Sequence, residues 1–146
     1  MKYLVVHGPN LNMLGRRDPT QYGSLSMVEI NARVEKRAKE LGAEVECFQS
    51  NGEGEIIDFI QKSATEAAGV IINPGAYGHY SYAIHDALLD TKLPIIEVHL
   101  SNVQTRDEWR RKSVLAPVTR GVISGFGWRS YTAALDILVS MTAKEP

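Results

Sequence analysis

The chain has 146 residues, about the length of one compact domain, and its hydrophobic fraction of 44% is that of an ordinary globular protein. Its 16 Lys and Arg residues against 17 Asp and Glu residues leave a formal net charge of -1, so the charge balance predicts neither nucleic acid nor an anionic membrane as a partner. We therefore expect a single domain over residues 1–146.

Cysteine usage and hydropathy predict the compartment. The only cysteine, Cys47, has no second cysteine to pair with and no Cys or His at metal-finger spacing, which favours a reducing environment. No apolar run approaches the ~20 residues of a membrane span, and the N-terminus lacks the pattern of a signal peptide. These features predict a cytoplasmic protein.

Short apolar runs of strand length alternate with segments of helical periodicity, a pattern typical of βαβ units. The predicted strands cover residues 3–6, 44–49, 69–72, 94–100 and 121–124. After the first strand and a polar loop, Ser26 precedes Glu29 by three residues, which is the spacing of a capping box and predicts a helix that ends at Gly42. The other predicted helices lie around residues 56–64, 83–89, 104–112 and 133–141.

Five strand–helix pairs without a linker predict one α/β domain. The expected fold is a flavodoxin-like, doubly wound, five-stranded parallel sheet in the order 2-1-3-4-5, with helices on both faces. In such a sheet, ligands bind beyond the carboxyl ends of the strands, near the switch point between strands 1 and 3. The residues that follow these strand ends are therefore the functional candidates.

Polar side chains follow three neighbouring strands of the predicted sheet. They are His7 and Asn10 after strand 1, Asn73 and His79 after strand 3, and Glu97, His99 and Ser101 at strand 4. Glu97 and His99 are two residues apart, so they project from the same face of the strand. Because a carboxylate beside an imidazole fixes its tautomer and raises its basicity, this pair suits a general acid or base.

Two further segments supply polar groups near these strand ends. The loop over residues 14–23 contains two arginines, a tyrosine and glycines near both ends, as in a mobile lid that carries functional groups. Arg106 and Arg110 are four residues apart on the predicted fourth helix and supply positive charge near strand 4. A solvated loop and a solvated helix face are the alternatives for these two segments.

Several chemistries lack their sequence signature. Neither a Walker loop nor a G-x-G-x-x-G fingerprint follows strand 1, and His7 and Asn73 stand where a magnesium pocket would need acidic residues. The four histidines have no tight ligand spacing, and no lysine falls inside a predicted strand, where a Schiff base would need one. The residues therefore predict acid–base chemistry on a small polar molecule and imply no metal.

Three stretches together give a specific family resemblance. They are HGPNLNMLGRRDPTQYG, INPGAYGHYS, and IEVHLSN followed by R-x-x-W-R. With them the chain resembles the type II 3-dehydroquinate dehydratases from about Tyr3 to Met141, nearly its whole length. The resemblance implies reversible dehydration of 3-dehydroquinate to 3-dehydroshikimate, by anti elimination through an enolate, without metal, cofactor or imine.

The resemblance also implies roles for individual residues. Tyr22 is similar to the base that removes the C2 proton, and Arg17 beside it holds the phenol as phenolate. Asn10 is similar to the residue that positions a water against the enolate oxygen. His99, oriented by Glu97, looks like the acid that protonates the departing C1 hydroxyl. The implied substrate-binding residues are Asn73, His79, Leu100, Ser101, Arg106 and Arg110.

The resemblance further implies an assembly. Asp86 matches a residue that reaches into a neighbouring subunit's site, in a family that forms dodecamers built from trimers. The chain departs from the usual family pattern at His7, Gly78, Tyr80 and His85, and none of these is an expected proton-transfer group. A flavodoxin-like module that binds a nucleotide or a flavin is the alternative function.

Overall fold

The computed structural model of the protein describes residues 1–16 and 18–143, with the backbone alone at Pro19. Its strands form one five-stranded parallel sheet in the order β2-β1-β3-β4-β5, which confirms the predicted order. The strands are β1 (Lys2–His7), β2 (Glu44–Gln49), β3 (Gly69–Asn73), β4 (Ile95–His99) and β5 (Gly121–Ser124). Each predicted strand therefore agrees with the observed one to within one residue at both ends.

Within residues 1–16 and 18–143, five α-helices accompany the sheet. They are α1 (Pro19–Tyr22), α2 (Met27–Glu40), α3 (Glu53–Ser63), α4 (Tyr82–Thr91) and α5 (Arg129–Thr142). The Ser26 hydroxyl accepts a hydrogen bond from the Glu29 backbone N–H at 3.2 Å, so α2 begins with the predicted cap. No helix among the described residues is long and apolar enough to cross a membrane.

The helices cover both faces of the sheet. Alternate strand residues such as Tyr3 and Val5 pack with α2 and α5 in one apolar core. Their neighbours in the strand, such as Leu4 and Val6, pack with α3 and α4 in the other. Because successive side chains of a strand point to opposite faces, the almost continuous apolar sequences of β1 and β3 fill both cores at once. The doubly wound architecture is confirmed.

The predicted helix over residues 104–112 is wrong. The structure instead has two short 3-10 turns, Val103–Thr105 and Glu108–Arg111, with Arg106 in extended backbone between them. The Asn102 side chain accepts a hydrogen bond from Gln104 N at 3.1 Å, which competes with helix formation, and the polar sequence offers no apolar face that would stabilise an α-helix by packing. Arg106 and Arg110 therefore do not share an α-helical face.

Gly8 brings the loops after β1 and β3 into direct contact. Its N–H donates to the Asn73 carbonyl oxygen at 2.8 Å. A Cβ atom at this position would lie 2.2 Å from the carbonyl oxygen of Pro74, which is a backbone atom and cannot rotate away. Only glycine therefore allows the backbones of the two loops to approach this closely beyond the ends of β1 and β3.

We expect Gly8→Ala to lower the free energy of unfolding by about 1–3 kcal/mol, because the added methyl group forces the two loops apart. Gly54→Ala is the matched control: a Cβ there meets nothing within 4 Å, and the residue lies in the first turn of α3. That change should raise the free energy of unfolding by about 0.4–1 kcal/mol. Denaturant titration of both variants measures the difference, and equal stability of the two would contradict the close approach at Gly8.

Candidate active site

A cleft lies at the carboxyl ends of β1, β3 and β4, where the sheet order predicts a ligand site. Most of the predicted site residues line it. They are Asn10, Tyr22, Asn73, His79, His99, Leu100, Ser101, Arg106 and Arg110. Residues from three strand ends and from the loop after β1 thus meet around one space.

Two of the predicted residues that the structure describes, Glu97 and Asp86, do not line the cleft. Glu97 lies behind His99, inside β4. Asp86 lies on the outer side of α4, where its side chain is 76% exposed and contacts His85 at 3.1 Å. Arg17 lies outside the described residues. A single chain therefore does not bring Asp86 to the cleft.

The Glu97 and His99 side chains form the predicted pair. His99 Nε2 and Glu97 Oε2 are 2.6 Å apart, and the carboxylate can only accept, so Nε2 carries the hydrogen. Glu97 is 1% exposed, and every residue of β4 is buried. This contact fixes the imidazole tautomer and leaves Nδ1 as the ring nitrogen free to exchange a proton in the cleft.

His79 faces His99 across the cleft. The two rings are nearly parallel, with centroids 6.5 Å apart, and Trp109 meets the His79 ring edge-on at 5.1 Å. His79 Nδ1 donates to the Lys112 carbonyl oxygen at 2.7 Å, which fixes its tautomer and leaves Nε2 for a ligand. Two oriented imidazoles therefore face the same space.

The arginines bring positive charge to the cleft, although not from a helix. The Arg106 guanidinium lies 5.0 Å from the centre of the Tyr22 ring and donates to Ser101 Oγ at 3.3 Å. Arg110 stacks on Trp109 at 4.0 Å and donates to Asp107 at 3.4 Å. A cleft with two such cations suits an anionic ligand.

Backbone N–H donors also lie at the cleft. Among the described residues, the N–H groups of Leu100 and Ser101 donate to no protein acceptor. Both residues are buried and line the cleft just beyond β4. Because buried backbone N–H groups are almost always paired, these two are placed for a ligand or a bound water.

Comparison with known proteins identifies the family. The sequence model of the family described as Dehydroquinase class II matches residues 1–139. The chain belongs to this family. The resemblance found in the three sequence stretches is therefore confirmed, and with it the expectation of an enzyme, whereas nothing supports the flavin- or nucleotide-binding alternative.

Related proteins match the sequence of this chain over nearly its whole length. The 3-dehydroquinate dehydratase of Roseiflexus castenholzii is 53% identical and covers 100% of this chain and 93% of its own length. That of Caldicellulosiruptor bescii is 56% identical over 94% of this chain and 95% of its own. The crystal structure of the type II dehydroquinase from Butyrivibrio crossotus superposes with a TM-score of 0.92 at 48% identity, covering 94% of this chain and 97% of that one.

Ser113 supports the Glu97–His99 pair, and sequence reasoning missed it. Its hydroxyl donates to Glu97 Oε1 at 2.6 Å and accepts from the N–H groups of Leu115 and Ala116. Both oxygens of the buried carboxylate are thus hydrogen-bonded. No local pattern marks Ser113, because it follows a polar turn and meets Glu97 only through the fold.

Asn51 is a second residue that sequence reasoning missed. Asn10 has a left-handed backbone with a φ of 69°, and its N–H donates to Asn51 Oδ1 at 3.0 Å. The Asn51 carbonyl accepts from the Tyr77 hydroxyl at 2.6 Å. Asn51 therefore ties the loop after β2 to the loops after β1 and β3 and holds Asn10 in a conformation that is uncommon outside glycine.

His7 belongs to a buried polar network beneath the cleft. The side chain is 0% exposed, its Nε2 lies 2.7 Å from Asn31 Oδ1, and its Nδ1 lies 3.0 Å from the Tyr131 hydroxyl. The same hydroxyl accepts from Asn73 Nδ2 at 3.0 Å. Burial lowers the pKa of His7 to about 4 and raises the pKa of Tyr131 above its ordinary value. His7 is therefore neutral near pH 7.

The lowered pKa of His7 predicts a loss of stability in acid. Below its ordinary pKa of 6.5 the unfolded chain binds a proton at His7, whereas the folded protein does not until about pH 4. The stability that neutral His7 contributes is fully present above pH 6.5 and is lost as the pH drops toward 4. The loss amounts to about 3 kcal/mol of unfolding free energy.

The measurement is the unfolding free energy of the parent and of His7→Asn between pH 4 and 7. The difference in unfolding free energy between the two proteins should change by most of the ~3 kcal/mol expected for His7 over this pH range by the same linkage. The carboxylates are common to both proteins, so their titration cancels. Parallel pH curves would contradict a neutral, buried His7.

Proposed function

We propose that the protein catalyses the reversible dehydration of 3-dehydroquinate to 3-dehydroshikimate, by anti elimination through an enolate. The supporting observation is that one cleft is lined by Tyr22 from the loop after β1, by Asn10, and by His99 hydrogen-bonded to Glu97. These are the groups that an acid–base elimination next to a ketone requires. Relatives named 3-dehydroquinate dehydratase match over nearly the whole chain.

Tyr22 is the proposed base that takes the proton from C2. A proton next to a ketone is weakly acidic, and phenolates are stronger bases than carboxylates, with reference pKa values of ~10 and ~4. Arg17, in the same loop, is the proposed cation that holds the phenolate, because a guanidinium cannot itself lose a proton near neutral pH. The Arg106 guanidinium 5.0 Å from the Tyr22 ring adds positive charge at the same point.

His99 is the proposed acid. After C2 has lost its proton, the C1–O bond breaks, and hydroxide is a poor leaving group unless it is protonated. The His99 imidazolium delivers that proton from Nδ1, because Nε2 is held by Glu97. The hydroxyl leaves as water. Asn10 positions a water that donates to the enolate oxygen while negative charge develops there.

The remaining lining residues are the proposed substrate-binding groups. Arg110 and Arg106 attract the substrate carboxylate, and the N–H groups of Leu100 and Ser101 are placed to donate to an oxygen of the ligand. Asn73 and His79, which also line the cleft, contact hydroxyl groups of the ring. Binding therefore depends on β3, β4 and the turn after β4, whereas the base comes from the loop after β1.

An assembly of twelve chains built from trimers is part of the proposal, with Asp86 entering the site of a neighbouring chain. The Asp86 carboxylate lies exposed on α4 and has room to do so. Light scattering should show this assembly, and a fully active monomer would contradict it. The cytoplasmic location stays a prediction.

The reaction itself is tested by ultraviolet absorbance. Addition of the purified protein to 3-dehydroquinate should produce the conjugated enone of 3-dehydroshikimate, and addition to 3-dehydroshikimate should remove it. Sodium borohydride added together with substrate should not inactivate the enzyme, because no imine forms. Absence of any absorbance change would overturn the proposed function.

Tyr22→Phe should nearly abolish kcat and leave substrate affinity within roughly tenfold, because the missing oxygen acts in the transition state. Titration calorimetry measures the affinity, and the absorbance assay measures kcat. Tyr3→Phe is the control: it removes a phenol oxygen that contacts Thr142 at the far end of the sheet, away from the cleft. Substantial turnover by Tyr22→Phe would remove Tyr22 from the role of base.

Arg17→Ala should act through the same step as Tyr22→Phe. The double variant should be hardly slower than Tyr22→Phe alone, because both changes remove one function. Turnover by Arg17→Ala should partly recover at alkaline pH, where the phenol ionises without help. Additive losses and an unchanged pH profile would show that Arg17 acts elsewhere.

His99→Ala should damage loss of water more than removal of the C2 proton, because general acids contribute about 10² to 10⁴ in rate. Exchange of the C2 proton with deuterated solvent, followed by NMR, should therefore persist better than turnover. Glu97→Gln replaces the partner of His99 by a side chain of the same shape. The turnover of this variant should lie between that of His99→Ala and that of the parent. Equal loss of exchange and turnover in His99→Ala would contradict its role as the acid.

A further inference from the structure

We propose that Tyr131 and His7 are positioning residues that fix the orientation of the Asn73 amide in the cleft and so set the affinity for substrate. The inference rests on the binding role proposed above for Asn73. Neither Tyr131 nor His7 lines the cleft, so both act through Asn73.

Each hydrogen bond in the network has a defined direction. Asn31 Oδ1 can only accept, so His7 donates from Nε2. A neutral histidine has no hydrogen on its other nitrogen, so His7 Nδ1 accepts the hydroxyl hydrogen of Tyr131. The Tyr131 oxygen then has only lone pairs left to offer, and Asn73 must turn its amide nitrogen toward it.

The other side of the Asn73 amide agrees with this direction. Its Oδ1 accepts from the Gly75 N–H at 3.3 Å. A flipped amide would place the carbonyl oxygen against the Tyr131 oxygen and the NH₂ group against the Gly75 N–H, leaving two repulsive contacts. The observed orientation leaves the second hydrogen of Asn73 Nδ2 for an oxygen of the substrate.

Burial makes the network rigid. Tyr131 and His7 are both 0% exposed, so bulk water cannot replace a lost partner of either side chain. His7 and Asn73 are also direct neighbours across β1 and β3, and Tyr131 on α5 bridges the two strand ends. Reversing one hydrogen bond would leave a buried polar group without a partner, which is strongly disfavoured.

The first test is Tyr131→Phe, which removes the acceptor of the Asn73 amide and keeps the ring. We expect KM to rise about three- to tenfold and kcat to change less than about twofold, since a neutral hydrogen bond is lost indirectly and no reacting group is altered. Tyr3→Phe is the matched control, because Tyr3 is equally buried and its hydroxyl contacts Thr142 at the far end of the sheet. Tyr3→Phe should leave KM unchanged.

The second test uses two replacements of His7 and also serves if Tyr131→Phe does not fold. His7→Asn places an amide oxygen near the former Nδ1, so the Tyr131 hydroxyl keeps an acceptor, and KM should stay closer to that of the parent. His7→Gln reaches toward Asn31 instead and leaves the hydroxyl without that acceptor, so KM should rise. An equal KM for the two variants would contradict the direction of the network.

A double-mutant cycle decides whether Tyr131 acts through Asn73. Asn73→Ala should raise KM by itself, and Tyr131→Phe should add little in that background. If Asn73→Ala leaves KM unchanged, the proposed binding role of Asn73 is wrong and the inference fails with it. If Asn73→Ala raises KM but Tyr131→Phe does not, or raises it equally in both backgrounds, the binding role stands and the positioning role is overturned.

Discussion

The carboxylate of Glu97, buried in the sheet, is the constraint on which the cleft depends. A carboxylate inside a fully buried strand is tolerated only when both oxygens are hydrogen-bonded, and His99 and Ser113 meet that need. Because Ser113 comes from the segment after the Glu108–Arg111 turn, its bond to Glu97 draws that segment across the end of β4. The same path brings Arg110 to the cleft and presents the Lys112 carbonyl to His79.

Two polar networks reach the cleft from opposite faces of the sheet. Glu97 and His99 project toward the layer of α3 and α4, in phase with Ile95. His7 projects toward the layer of α2 and α5, where Tyr131 joins it to Asn73. The alternation of side chains along parallel strands therefore separates the proposed acid from the proposed binding group, while both end at the same edge of the sheet.

The proposed base comes from a different kind of element. Tyr22 ends the one-turn helix α1, which is too short to be stable by its own hydrogen bonds and lies between Gly15 and Gly23, both with positive φ. Arg106 contacts the Tyr22 ring and joins this loop to the turn after β4. An acid held in a core strand and a base supplied by a loop give a site whose two halves have different local stability.

The sequence by itself determined the strands, their order, the cap of α2 and the Glu97–His99 pair, because apolar runs, a capping spacing and a two-residue interval are local patterns. The roles of Tyr22, Asn10 and Arg17 came from the family resemblance. Only the tertiary structure decided that residues 104–112 form turns and that Ser113, Asn51 and Tyr131 support the site. A buried polar group takes its partner from whichever distant segment the fold places beside it, and no local pattern in the sequence records that choice.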